Sequence, residues 1–189
     1  EYRVRLTVDG NSVERPLIVR QDPRATTSDT EVVAQFEFVQ ELGATLTRAH
    51  GGIRDLRTAR EDLALVEGRL ALARERGADA ARCDALTRDI EAARTALREI
   101  EEALYQTKNQ SGQDPLNYPI RLTDKLAGVR SAAMDGDFAP TAQMRAVAAE
   151  LTPKIEAELV RLDAAFESLL PAIDAEARAV EVPLIRARK

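Results

Sequence analysis

Residues 28 to 77 read SDTEVVAQFEFVQELGATLTRAHGGIRDLRTAREDLALVEGRLALARERG. From Val32 onward, apolar residues recur three or four positions apart, which is the spacing of one face of an α-helix. They are Phe36, Val39, Leu42, Leu46, Ala49, Ile53, Leu56, Ala59, Leu63, Val66, Leu70 and Ala73. Ser28 and Glu31 have the spacing of a capping box, which satisfies free backbone N–H groups at a helix start. The stretch predicts one helix of about 48 residues and 70 Å.

Glycines mark two places on this helix. The His50-Gly51-Gly52 triplet leaves open whether the helix bends or breaks there. Gly77 suits the left-handed conformation that ends helices. After it, a strict alternation of three and four predicts a second helix that returns antiparallel. Its apolar positions are Cys83, Leu86, Ile90, Ala93, Leu97, Ile100, Leu104 and Thr107.

Two further helices are predicted beyond a loop at residues 107–119, which contains Gly, Pro and amide side chains. Leu122, Leu126, Val129 and Ala133 mark a short third helix that ends at Asp135-Gly136. After a turn over residues 137–140, Thr141 caps a long fourth helix, in which we expect Pro153 to cause a kink or a local break. Its apolar positions are Met144, Val147, Leu151, Ile155, Leu159, Leu162, Phe166, Leu169 and Ile173. The basic tail, residues 186–189, is expected to fray.

The N-terminal residues have the period of β-strands. Apolar and polar residues alternate over residues 2–8, Asp9-Gly10-Asn11 is a turn signal, and residues 13–20 form a second strand. Pro16 lacks a backbone donor, so it restricts this strand to an edge or a bulge. The chain starts inside a strand and without Met, and we expect it to be cut from a longer protein.

These patterns define a mostly α-helical protein. Ala, Leu, Glu, Lys and Arg make up about half of the chain, as in long helices and coiled coils. Four apolar stripes bury one another as an elongated antiparallel four-helix bundle. The predicted units are a β-hairpin at residues 1–26, which ends an upstream β domain, and the bundle at residues 27–189.

Composition argues against most catalytic classes. The chain has one Cys, one His and no Trp, which removes a disulfide framework, a Cys/His zinc site and a Cys/His catalytic pair. The net charge of −5, with Arg dispersed among acids, argues against nucleic acid. No apolar run is long enough to span a membrane. We predict no cofactor and no metal, assign no role to His50, and place Cys83 in the core.

Two groups of polar residues could have either a functional role, in catalysis or binding, or a purely structural role. Glu99, Glu101 and Glu102, with Arg94 and Arg98 on the same helix, are typical of a solvated, ion-paired face.

The second group lies in the loop before the third helix: Asn109, Gln110, Gln113, Asn117 and Tyr118. These side chains could present hydrogen-bonding groups to a partner or a sugar, or they could cap the second helix, satisfy the turn and pack Tyr118 on the bundle. We favour the structural interpretation, in which the loop is ordered without a ligand.

Three stretches resemble a known family. YRVRLTVDG (residues 2–10), RPLIVRQDPR (15–24) and ALYQTKNQSGQDPLNYPIRLTDKLAGV (103–129) are similar to the C-terminal region of bacterial sortilin-like, BNR-repeat β-propeller proteins, often labelled as glycosyl hydrolases. The resemblance implies a propeller before this segment, an Ig-like sheet that ends in the first two strands, and export to the periplasm or the exterior. Any hydrolytic site would then lie in the propeller, and no catalytic residue is carried onto this chain.

The leading hypothesis is a non-enzymatic structural or protein-interaction module of a larger exported protein. The alternatives are a glycan- or peptide-binding module that uses the 109–119 loop, and an accessory domain of a glycosyl hydrolase.

The hairpin has an apolar face of Tyr2, Val4, Leu6 and Val8, and a hairpin of only two strands is too small to be stable alone. In the full protein, an upstream sheet would cover this apolar face. In this chain, either the flank of the bundle or a second copy would cover it. We favour a homodimer through the hairpin.

Overall fold

The predicted helical bundle preceded by a β-hairpin is confirmed. A computed structural model describes residues 2–183, and the expected fraying of residues 186–189 lies outside that range. The strands are β1 (Tyr2–Val8) and β2 (Asn11–Leu17). The helices are α1 (Asp29–Glu75), α2 (Ala80–Leu104), α3 (Leu122–Met134), α4 (Ala142–Ala164) and α5 (Leu170–Ala179), with a 3₁₀ turn at Asp114–Leu116 and a π-helical segment at Ala165–Leu169.

Helix α1 runs without a break through Gly51 and Gly52. A Cβ atom on Gly52 would lie 2.8 Å from Leu162 Cδ2, so the missing side chain lets α4 approach α1 closely. The capping box at Ser28 and Glu31 is present at the start of α1. After its end, Gly77 has a φ of +94°, as the sequence predicts. Gly52 therefore serves the packing of α4 on α1, and α1 has no hinge at the glycine pair.

Helices α2 and α3 follow one another along α1. Helix α2 lies against the C-terminal half of α1, where Arg94 Nη1 is 2.6 Å from Glu67 Oε2. Helix α3 lies against the N-terminal half, where the Gln35 amide donates to the Ala133 carbonyl at 2.6 Å. Both run antiparallel to α1, so residues 105–121 join two helices of the same direction and do not form a helical hairpin.

Helix α4 runs parallel to α1 and completes the bundle. Near the start of both helices, the Arg145 guanidinium lies 5.4 Å from the centre of the Phe38 ring. Further along, Arg48 pairs with Glu156. In the direction of the chain, α4 contacts first α3 and then α2, and α5 contacts α2. Each level of the bundle therefore holds three helical segments side by side.

The core consists of the predicted apolar stripes, with four exceptions. Leu97 and Ile155 are fully buried, as are most stripe residues. Phe36 and Val147 are exposed, and Phe38, which the stripe did not include, is buried in the place of Phe36. Thr107 is exposed because α2 ends earlier, at Leu104. Phe166, the fourth exception, is 38% exposed.

The predicted irregularity in the fourth helix occurs at a different place. Helix α4 continues through Pro153, and the π-helical segment begins twelve residues later, at Ala165. There the Leu170 N–H donates to the Ala165 carbonyl, five residues back, and Pro171 has no N–H to donate. Phe166 lies within this segment and is partly exposed, whereas the predicted positions Leu169 and Ile173 after it still pack on the core.

The hairpin turn is one residue shorter than predicted. Asp9 and Gly10 have φ values of +48° and +81°, the signs required by a two-residue type I′ turn. Val8 therefore pairs with Asn11, and β2 spans Asn11–Leu17 instead of residues 13–20. Leu17 pairs with Tyr2, the first residue of β1.

Candidate functional site

The loop between α2 and α3 is organised by two side chains that the sequence analysis did not select. The Asp114 carboxylate accepts hydrogen bonds from the backbone N–H groups of Gln110 and Ser111 and from the Ser111 hydroxyl at 2.9 Å. The buried Gln106 amide donates to the Pro119 carbonyl at 2.8 Å. Together they close the loop at its tip and at its base.

The five predicted loop residues have different surroundings. Gln110, Gln113 and Asn117 contribute backbone groups to the turns of the loop, and all three residues are exposed. The Tyr118 ring lies 5.7 Å from Lys108 Nζ and is 37% exposed. Asn109 Oδ1 is buried and accepts no hydrogen bond from any described residue. Backbone hydrogen bonds thus order the loop, and the role of the five side chains stays a prediction.

The hydrogen bonds of Asp114 predict a pH dependence of the loop. The backbone N–H groups of Gln110 and Ser111 hold the pKa of Asp114 below its ordinary value of 3.8. A lowered pKa means that the stabilisation is present above the ordinary value and is lost as the pH falls through the folded-state pKa. We expect the backbone amide NMR signals of Gln110 and Ser111 to be constant from pH 7 to 5 and to shift only under more acidic conditions.

Asp114→Asn is the matched variant for this titration, because it keeps the size of the side chain and removes its charge. The acid transition of the Gln110 and Ser111 signals should then disappear. A transition that persists in Asp114→Asn would show that another group orders the loop.

A groove between α1 and the α4–α5 segment was not predicted. Its main cavity, about 610 Å³, lies between the second half of α1 and α5. A second cavity of about 380 Å³ continues it toward Arg48. Both cavities are lined by Asp55 and Phe166, so they form one surface, which we call the α1/α5 groove.

Apolar residues line the main cavity. Ala59 and Leu63 of α1 and Ile173 of α5 are buried where the two helices face each other. Phe166, which lies in the π-helical segment, forms part of the wall. The remaining apolar residues of the main cavity are Val66, Leu170 and Pro171.

Carboxylates surround this apolar surface. Asp55 and Asp62 lie on α1, Asp163 on α4 and Asp174 on α5. Asp174 pairs with Arg178 at 2.7 Å. Within residues 2–183, Asp55, Asp62 and Asp163 have no ion-pair partner. The groove therefore combines apolar area with uncompensated negative charge.

One acidic residue of α2, Glu101, does not lie on the solvated face that the sequence predicts. Glu101 is 3% exposed and pairs with Arg57 at 2.6 Å and with Arg60, both on α1. It is therefore a buried link between two helices and not part of a solvated face, because α1 covers this side of α2. Glu99 is exposed and lies 3.5 Å from Arg161.

The other candidate residues carry no site. Cys83 is buried, as predicted. His50 is exposed, with its ring 6.4 Å from that of Tyr105. Among the residues that the structure describes, no group of three or more His, Cys, Asp or Glu side chains is placed to hold a metal ion. The same residues include no helix that is both long and apolar enough for a membrane span.

Comparison with known proteins gives no match: no protein-family model, no curated protein and no solved structure matches this chain. The assignment of function therefore depends on the surfaces described above.

Proposed function

We propose that this chain is a non-enzymatic protein-interaction module at the C-terminus of a larger, exported β-propeller protein. The residues of the hairpin and of the loop before α3 support the link to such proteins through their resemblance to the sortilin-like family. The apolar face of the hairpin is the observation that carries the interaction role.

The register of the hairpin separates its two faces. Leu6 pairs with Val13 and Tyr2 with Leu17, so both strands contribute apolar side chains to one face. The apolar members of this face, 46–66% exposed, are Tyr2, Val4, Leu6, Val8, Val13 and Leu17. Arg15, opposite Val4, and Asn11, opposite Val8, are the polar members of the same face. On the opposite face, Arg5 pairs with Glu14 and Thr7 bonds Ser12 at 2.8 Å. The polar side chains of that face therefore pair with one another, whereas the six apolar side chains are left exposed.

We assign this face to a β-sheet of the preceding β domain in the full protein. A two-stranded hairpin gains little stability alone, and stacking its apolar face on another sheet removes that face from water. The isolated chain would cover the same face with a second copy. Two such faces would bury on the order of 1,000 Å² in total, which is the lower limit for a specific interface. We therefore expect a weak dimer.

Light scattering on the 189-residue chain tests this assignment. The chain should dimerise as its concentration rises, whereas Leu6→Glu should remain monomeric because it places a charge in the apolar face. Thr7→Glu is the matched control on the opposite face and should dimerise like the unmodified chain. A version that starts at Arg24 should be monomeric. A dimer that survives Leu6→Glu, or a monomeric unmodified chain, would contradict the assignment.

A further inference from the structure

We propose that the α1/α5 groove binds a basic amphipathic helix of a partner protein. The inference deepens the proposed interaction function but uses a surface other than the hairpin. The two proposals can therefore fail separately.

The shape of the groove fits a helix. Its walls are two parallel helical segments, and Asp55, Ala59, Asp62 and Val66 recur three or four residues apart along one wall. From Arg48 to Val66 the groove follows α1 for about 27 Å at 1.5 Å per residue. A partner helix of about 18 residues has this length.

A partner helix would lie on the outer side of the groove. Helices α1 and α5 both pack on α2 and line the groove, and Ala59, Leu63 and Ile173 are buried at its floor. Phe166, 38% exposed, stands in its wall. A helix laid along the groove would add a fourth helical segment to a three-helix section and cover Phe166.

The charges of the groove select the partner. Asp55, Asp62 and Asp163 lack ion-pair partners among residues 2–183, so an apolar stripe flanked by Lys or Arg would both bury Phe166 and neutralise these carboxylates. A helix of a second copy is a poor occupant, because α1, α2, α4 and α5 each carry more acidic than basic side chains. The groove thus resembles in its chemistry a site for the helix-in-groove mode of recognition.

Two synthetic 18-residue peptides test the proposal by fluorescence anisotropy. Both carry Leu at every third or fourth position, one with Lys and the other with Glu at the remaining positions. The Lys peptide should bind the chain at least about tenfold more tightly than the Glu peptide, a difference of 1.4 kcal/mol. Its affinity should fall as salt is added.

Variants show whether the groove is the binding surface. Asp55→Asn with Asp62→Asn should weaken binding of the Lys peptide by about tenfold, as two partly desolvated ion pairs are lost. Phe166→Ala should weaken it through lost apolar area. The matched control is Asp89→Asn with Glu102→Gln, two exposed acids of α2, which should leave the affinity unchanged.

Each contrary result has a definite meaning. Equal binding of the two peptides, no binding, or an equal loss in the groove and control variants would overturn the proposal. Formation of a dimer that the Asp55→Asn, Asp62→Asn variant abolishes would point to a second copy as the occupant and would also overturn it. Leu6→Glu should not change the affinity for the Lys peptide, which separates this site from the hairpin.

Discussion

Ile155→Ala and Leu97→Ala should each lower the free energy of unfolding by about 2–5 kcal/mol. Both side chains are fully buried between helices. Truncation to Ala removes three methyl or methylene groups from the core and leaves a cavity that neighbouring side chains fill only in part. Urea denaturation monitored by circular dichroism measures the change.

Phe36→Ala is the control for these core variants. Phe36 belongs to the same sequence pattern but is 61% exposed, so its truncation should change stability by less than about 1 kcal/mol. An unchanged urea midpoint for Ile155→Ala, or a large loss for Phe36→Ala, would show that the assignment of the buried faces is wrong.

The double variant Arg57→Ala, Arg60→Ala should lower the free energy of unfolding by about 3–5 kcal/mol. Both ion-pair partners of Glu101 are then removed, and its carboxylate, whose side chain is 5% exposed, stays in the interface of α1 and α2 without compensation. Arg94→Ala is the control. Its pair with Glu67 is partly exposed on both sides and should contribute less than about 1 kcal/mol.

Adding Glu101→Leu to this double variant distinguishes two causes of the loss. An apolar side chain of similar size removes the buried charge, so the triple variant should recover much of the stability. A triple variant as unstable as the double variant would show that the alkyl stems of the two arginines, and not their charges, provide the stabilisation.

Local signals in the sequence predict most of the secondary structure. The capping box at Ser28, the glycine at position 77 and the cap at Thr141 each act within one helical turn, and each is found where the pattern places it. The direction of α3 was harder to predict. A stripe shows which face of a helix is buried but not which partner buries it, so periodicity cannot distinguish a returning helix from one that continues past a loop.

The candidate site was predicted less well, for two physical reasons. Phe166 lies in a π-helical segment and is partly exposed, and a regular period of 3.6 contains no sign of such a segment except the nearby Pro171. The carboxylates of the groove come from parts of the chain about 110 residues apart, such as Asp55 and Asp163. Each alone has the pattern of a solvated acid, and only the tertiary structure brings them to one surface.

The helices run along the bundle three times: α1 in one direction, α2 and α3 back, and α4 and α5 in the first direction again. This path has a mechanical consequence. The chain enters beside Asp29 and leaves beside Val180, which lies near Arg76 and Gly77 at the opposite end of α1. Helix α1 separates these points by about 70 Å. A pull on the two ends acts along the helix axes, and α1 and α4 must slide past each other with many contacts loaded at once. A load applied at these two points would therefore act in shear, whereas a bundle with both points on one side would peel open.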